Sequence, residues 1–312
     1  MITIVGPTAV GKSALALRLA DCFPAEIISA DSRQVYLYMD IGTNKPSPAE
    51  RASVPHHVID VVEPDEDFSL AMYHQLATEA MKAVQQKGKL PLLVGGSGLY
   101  VWSLVEGWKM PQVPPDQSLR RQLEARAEQE GSHSLYQELR DIDPVAAERI
   151  NPGNVRRIIR ALEIYRATGR PPSQSLRKEA PGFPVLIIGL TQERSELYTR
   201  IDQRVDRMIQ MGLVEETDQL LKRGYSPCLP SMSGIGYEQI SQFLRGEMTL
   251  PEAIDKIKYA THRLARHQYA WFRLSDKRVR WCDVGGTEEE ASSDFTGVTL
   301  NEVKGLIEDF IS

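Results

Sequence analysis

The sequence predicts an α/β protein: a parallel sheet flanked by helices, with a helical block inserted into it. Three observations carry that prediction. Short runs rich in apolar and β-branched residues alternate with stretches of helical periodicity, the pattern of strands buried on both faces and joined by crossover helices. A glycine-rich turn follows the first of these runs and opens a helix. Two proline-rich connectors then bound a central stretch that has helical periodicity and no strand pattern.

The elements follow in chain order. Residues 2–5, Ile-Thr-Ile-Val, form the first strand, and residues 13–20, with leucines at 15 and 19, the helix after the turn. Residues 26–29 give a second strand, and residues 58–62 a further candidate. Ser69 is a residue type that caps helices, so a helix is expected over 69–86, stopping before Gly88. A strand is expected at 90–94. The first connector is Met110-Pro-Gln-Val-Pro-Pro115; the second combines Arg170-Pro-Pro-Ser with Ala180-Pro-Gly-Phe-Pro184. Between them, residues 117–129, 134–140 and 154–168 have helical patterns. The sheet resumes at 185–190, with 278–282 as a late sixth strand. After a short acidic run at Glu288, Glu289 and Glu290, an amphipathic helix closes the chain, with Leu300, Val303, Leu306, Ile307 and Phe310 on one face. The connectors place a core domain at 1–109 and 183–312 and an inserted helical domain at 110–182.

Composition narrows the function classes. Hydrophobic residues are 42% and charged residues 25% of 312, the balance of an ordinary globular chain. No run approaches the roughly 20 apolar residues of a membrane span, and Met1 leads straight into the first strand without a signal peptide. A cytoplasmic protein with no membrane partner is expected. Cys22, Cys228 and Cys282 are too dispersed for disulfide or metal spacing, which leaves them as reduced thiols. His56 and His57 have no third ligand at suitable spacing, so structural or substrate-loop roles are expected of them. A net charge of −5 announces no nucleic-acid partner, so local charge has to decide that question.

The turn after the first strand is Gly6-Pro-Thr-Ala-Val-Gly11-Lys12-Ser13, which matches the P-loop pattern G-x-x-x-x-G-K-[ST] without a mismatch, between a strand and a helix. Such a loop aims backbone amides and a helix N-terminus at phosphate oxygens. Lys12 adds a point charge, and the Ser13 hydroxyl suits a Mg²⁺ shell. The expected core is therefore P-loop NTPase-like. Phosphate binding follows, with Gly6, Thr8, Ala9, Gly11, Lys12 and Ser13 as its residues; the reaction does not, because kinases, GTPases and ATPases share the loop. Asp31 stands at the carboxyl end of the second strand, where open α/β sheets bind ligands. It suits either a water-mediated hold on Mg²⁺ or a hydrogen bond to an attacking nucleophile. Arg200, Arg204 and Arg207 recur at i, i+4 and i+7 on one helix face, apart from Ile201, Val205 and Met208.

Further blocks make the resemblance specific. They are SADSRQVYLYMDIGTNKP over 29–46, Pro55-His-His-Val-Ile-Asp60 with Phe68 and Ser69, and Gly95-Gly-Ser-Gly-Leu-Tyr100. Then come 154–169 with Arg156, Arg157, Arg160 and Glu163, Arg204-Val-Asp-Arg-Met208, Gly234-Ile-Gly-Tyr237 and THRLARHQYAWFR over 261–273. In this order they resemble the tRNA dimethylallyltransferase (tRNA isopentenyltransferase) family of the bacterial type. The chain departs from the family pattern at Ser97, where threonine is usual, and at His262, His267 and Glu238, where basic residues are usual. The resemblance implies transfer of a dimethylallyl group from dimethylallyl diphosphate, with Mg²⁺, to the exocyclic amine of the adenine next to the anticodon, position 37. It implies that Lys12 and Ser13 hold the diphosphate and Mg²⁺, that Asp31 orients or deprotonates the amine, and that Ser32 and Gln34 lie where the base is read. It further implies that Arg204 binds the diphosphate as charge develops, so that Asp31, Ser13 and Arg204 are the expected catalytic set.

Local charge agrees with an RNA partner. Residues 156–178 hold seven Lys or Arg against one acid, Glu163, and residues 256–280 hold eight against Asp276 alone. Arg156, Arg157, Arg160, Arg263 and Arg266 are candidates for the anticodon stem-loop of a tRNA, with aromatics interspersed in the second segment. Trp271 and Phe272 are expected in the core. A monomer is expected. The rival readings are an adenylate isopentenyltransferase acting on a free nucleotide, a P-loop nucleotide kinase, and an ATP-switched RNA-binding protein without prenyl transfer.

Overall fold

The computed structural model describes residues 1–109, 111, 113–175, 177–285 and 297–312, so the acidic residues Glu288, Glu289 and Glu290 lie outside the described residues. Two compact units emerge: Met1–Val105 with Gly182–Ser312, and Glu106–Pro181. The strands in chain order are β1 (Ile2–Val5), β2 (Ala25–Ser29), β3 (His56–His57), β4 (Leu90–Val94), β5 (Trp108–Lys109), β6 (Arg177–Lys178), β7 (Leu186–Thr191) and β8 (Val279–Asp283).

The larger unit is built on a six-stranded sheet of order β3-β2-β4-β1-β7-β8, in which every neighbouring pair is parallel. Every residue of β1 and β2 is buried, as expected for strands covered on both faces. Ile2 aligns with Leu92 on one side and Leu186 on the other. That register places β1 in the middle and brings the carboxyl ends of β4, β1 and β7 side by side. Helix Lys12–Cys22 buries Leu15, Ala16 and Leu19 on the sheet. Val303 and Ile307 of the closing helix Gly297–Ile311 enter the same core. Helix Leu70–Gln86 starts where expected, since the Ser69 hydroxyl accepts from the Met72 amide at 3.2 Å.

Residues 58–62 do not form the expected strand. β3 ends at His57 because Val58 and Asp60 turn left-handed, at φ 61° and 55°. A left-handed valine is costly for a β-branched side chain and breaks the extended run. The segment bonds instead to a loop: the amides of Val61 and Val62 donate to the Val35 carbonyl at 2.8 and 3.2 Å.

Glu26 is the buried charge of this sheet, 1% exposed on β2. Its carboxylate accepts from Lys89 Nζ at 2.9 Å and Lys87 Nζ at 3.1 Å, and His57 Nε2 lies 2.7 Å from it. Burial pushes the carboxyl up, but the bonds from Lys89, His57 and Lys87 reverse this and bring it down to about 2. A carboxyl held below its unfolded value stabilises the fold above that value, and the contribution fades as pH falls toward the folded one. Glu26→Gln is therefore expected to lower stability by about 2 kcal/mol at neutral pH. Urea unfolding at pH 7 and pH 3 checks this: the gap between the two proteins should narrow at pH 3, and an equal gap at both would contradict it.

The smaller unit packs helices Gln117–Glu130, Ser132–Ile142, Pro144–Arg149 and Val155–Thr168 around Leu123, Leu135, Leu139, Ile158 and Leu162. β5 and β6 form its antiparallel pair. Glu163, 1% exposed, ties it together by accepting from the Asp116 amide at 2.7 Å and from Arg120 Nε at 3.0 Å, with Arg160 as a further ion-pair partner.

Candidate active site

The loop after β1 is shaped by what a side chain would strike. A Cβ at Gly6 would come within 2.5 Å of the Leu190 carbonyl, so only glycine lets the loop lie against β7. Ala9 is held left-handed at φ 65°, a strain of about 1–2 kcal/mol of the kind that collects at ligand-binding loops. Gly11 precedes helix Lys12–Cys22 without any side-chain cap. The first amides of that helix are therefore open toward the loop.

Three charged side chains converge here. Lys12 Nζ donates to the carbonyls of Gly6 at 3.0 Å and Pro7 at 2.7 Å. Arg204 comes from helix Arg194–Gln210, whose Leu197, Ile201, Val205 and Met208 are buried, and its Nη1 donates to Thr8 Oγ1 at 3.2 Å. Asp31 follows β2 closely, its Oδ1 accepting from the Arg33 amide at 2.8 Å. Burial lowers Lys12 to about 7, Arg204 pushes the same way, and Asp31 opposes them. Burial also lowers Arg204 to about 10, again against Asp31. The site is thus a half-buried pair of cations with one carboxylate, short of negative charge. An entering polyphosphate anion would supply it.

A pH dependence follows. In the free protein Lys12 loses its proton as pH rises through about 7, whereas an anion bound beside it favours the charged form. Affinity for inorganic diphosphate is therefore expected to fall above pH 7, by up to about tenfold per unit. Titration calorimetry in two buffers of different ionisation heat checks this, and proton release on binding at pH 8 instead of uptake would contradict it.

The rest of the expected site divides. Ser13 is exposed in the first turn of its helix and lines a cavity of about 70 Å³ together with Ser29, Gln34, Asn44 and Lys45. The Ser32 amide donates to Ser97 Oγ at 3.0 Å, so the serine that stands for the usual threonine still holds the segment after Asp31. Gln34 is fully engaged: its Oε1 accepts from Ser29 Oγ at 2.9 Å and its Nε2 donates to the Asn44 carbonyl at 3.0 Å. Arg156 and Arg157 are exposed in the smaller unit, while Arg160 is bound to Glu163 and donates to the Val113 carbonyl at 3.0 Å. In the larger unit Arg263 is exposed, as is Arg266, which donates to the Tyr198 hydroxyl at 2.7 Å. Phe272 is fully buried as expected, but Trp271 is 41% exposed. It ends helix Leu250–Trp271 with its ring over Gly98, and Phe272 takes the core position. His57 is a partner of Glu26, and His56 Nδ1 lies 2.7 Å from the Val54 carbonyl. Among the described residues no helix is long and apolar enough to cross a membrane.

Gln268 was not expected in the site. It is 8% exposed, accepts from the Thr8 amide at 2.7 Å and donates to the Gly96 carbonyl at 3.1 Å. One side chain thereby spans the phosphate loop and the glycine-rich turn after β4. The signal was there to find: with Ile257, Ala265 and Phe272 buried, Gln268 is a polar residue on the buried stripe of its helix.

The pattern of the IPP transferase family matches residues 34–275. A tRNA dimethylallyltransferase of Roseiflexus castenholzii is 55% identical over 273 residues, 88% of this chain and 89% of that one. That of Thermomicrobium roseum is 51% identical, covering 91% of this chain and 86% of the relative. Among solved structures, the full-length tRNA isopentenylpyrophosphate transferase from Bacillus halodurans is 40% identical with a TM-score of 0.66, covering 98% of each chain. A eukaryotic dimethylallyltransferase acting on tRNA superposes with a TM-score of 0.82 at 27% identity, over all of this chain and 79% of the other.

Proposed function

The chain belongs to the IPP transferase family, and on that premise we propose that it transfers a dimethylallyl group from dimethylallyl diphosphate to tRNA, onto the exocyclic amine of the adenine at position 37. The observation that carries this reading is the meeting of Lys12, Arg204 and Asp31 at the phosphate loop. A prenyl transfer to an amine needs both halves of that set. Cations must hold a leaving diphosphate, and a carboxylate must receive the nucleophile.

The bond between the allylic carbon and the diphosphate oxygen breaks with its electron pair passing to the diphosphate. Lys12 and Arg204 stabilise the charge that develops there, in a setting where each charge acts over little water. The adenine amine forms the new bond to the same carbon. Asp31 accepts a hydrogen bond from that amine and takes its proton as the bond forms. Its Oδ1 accepts from the Arg33 amide, which restrains the orientation of the carboxylate.

Mg²⁺ fits the donor set, because Ser13 presents an exposed hydroxyl and Asp31 a carboxylate, both hard oxygens of the kind that ion takes alongside water and phosphate. Ser13 would hold it directly and Asp31 through water. When bound it would neutralise charge on the diphosphate oxygens. The exposed Arg156, Arg157, Arg263 and Arg266 suit phosphates of an anticodon stem-loop, and the smaller unit, with the first two of these, is read as a tRNA-binding domain. Raising salt should weaken tRNA binding steeply while leaving dimethylallyl diphosphate affinity less affected.

The position of transfer is tested by digesting the product to nucleosides and by using an anticodon stem-loop RNA with the position-37 adenine replaced by guanine. Loss of acceptor activity in the replaced RNA supports the reading. Equal labelling of both RNAs defeats it.

A further inference from the structure

The block over 29–46 and the block over 234–237 are joined in the structure through a residue outside both. Glu216 lies on helix Leu213–Lys222. Its Oε2 accepts from the amides of Asp40 at 3.0 Å and Ile41 at 2.8 Å, and its Oε1 accepts from the Gly42 amide at 3.2 Å. The same Oε1 accepts from the Tyr237 hydroxyl at 2.6 Å. Three consecutive amides around one carboxylate form an anion nest, here filled by the protein's own side chain. Tyr237 is 1% exposed and packs so close that a Cβ at Gly42 would meet its ring at 2.5 Å. Gly42 and Tyr237 are therefore fitted to each other and to Glu216.

The loop they hold is under strain. Tyr38 and Asn44 are left-handed at φ 62° and 49°, conformations that persist only where the surroundings over-determine them. Lys45 adds a second restraint, its Nζ donating to the Tyr36 carbonyl at 2.6 Å and to Asp40 at 2.8 Å. Just beyond the nest, the Asn44 carbonyl accepts from Gln34 Nε2, and Gln34 lines the cavity beside Ser13. The chain of contact runs from Glu216 through residues 40–44 to the amide of Gln34.

We propose that Glu216 is a positioning residue for acceptor recognition: its carboxylate latches residues 40–42, and through the Asn44 carbonyl it sets the side chain of Gln34 in the segment that meets the target adenine. The proposal rests on the prenyl-transfer reading for its consequence, but the latch itself is a property of the free protein. Glu216→Gln keeps the shape and loses the chemistry, because its amide nitrogen confronts donors with a donor. Tyr237→Phe keeps the ring against Gly42 and removes one bond of the four.

The experiment pairs amide hydrogen exchange at residues 40–42 with steady-state kinetics of the full-length chain. Glu216→Gln should speed exchange there and raise KM for tRNA about tenfold, with KM for dimethylallyl diphosphate within about twofold of wild type. Tyr237→Phe should act in the same direction to a smaller extent. The latch is overturned if exchange at 40–42 is unchanged in Glu216→Gln, or if both KM values move together in both variants. Failure of the wild-type chain to modify any tRNA would defeat the prenyl-transfer reading instead, leaving the exchange result to judge the latch.

Discussion

Asp31→Ala is expected to lower turnover by about a thousandfold while tRNA still binds within a few-fold of wild-type affinity. The carboxylate has two tasks: it receives the proton of the attacking amine, and it balances Lys12 and Arg204, whose titration it opposes in the free protein. Alanine removes both. Tethering of the RNA depends on phosphate contacts spread over many arginines, so one lost carboxylate changes it little. Asp31→Asn also removes both but keeps the shape and the anchor from the Arg33 amide, so it separates loss of the charge and the base from loss of the side chain itself. Single-turnover rates alongside filter-binding affinities distinguish the outcomes. Equal loss of binding and turnover would mean that Asp31 holds the RNA and does not act in the chemistry.

Arg204→Ala is expected to reduce kcat by about 10²–10³ with a smaller change in KM for dimethylallyl diphosphate. Arg204 is the cation that reaches the loop from outside it, through its bond to Thr8 Oγ1. Charge on the diphosphate is greatest as the allylic bond breaks, so a cation fixed there acts more on the transition state than on the bound substrate. Its removal also relieves the repulsion that lowers Lys12, so Lys12 should titrate higher in the variant. The alkaline fall in diphosphate affinity then moves to higher pH, which a pure loss of fold would not produce. A rise in KM with kcat unchanged would place Arg204 in ground-state binding alone.

Much of this site was legible in the chain. Strands β1, β2, β4 and β7 are mostly apolar runs, with Glu26 as the charged exception on β2, because both faces of a parallel sheet are covered, and such runs carry their own evidence. The phosphate loop is legible because its chemistry is local: eight consecutive residues make the cradle. Arg204 was visible as part of a helical face but singled out from Arg200 and Arg207 by the family pattern. What stayed hidden is what depends on contact between distant residues. Gln268 meets Thr8 across 260 positions, and Glu216 meets Asp40 across 176. Neither partner has a spacing that betrays the other. The 58–62 run failed for a different reason: its apolar, β-branched content is genuine, but left-handed Val58 and Asp60 redirect the backbone, and the segment bonds to a loop instead. Trp271 shows the same limit, since an aromatic pair at a helix end has one core position to fill and periodicity did not say which ring would take it.

The central claim is that the phosphate loop serves prenyl transfer to RNA and not phosphoryl transfer or modification of a free nucleotide. The most direct test follows radiolabelled dimethylallyl from its diphosphate, with Mg²⁺, into unmodified tRNA and separately into AMP. Label in tRNA alone, abolished by Asp31→Ala, is the predicted result. Label in AMP, or in neither acceptor, would contradict it.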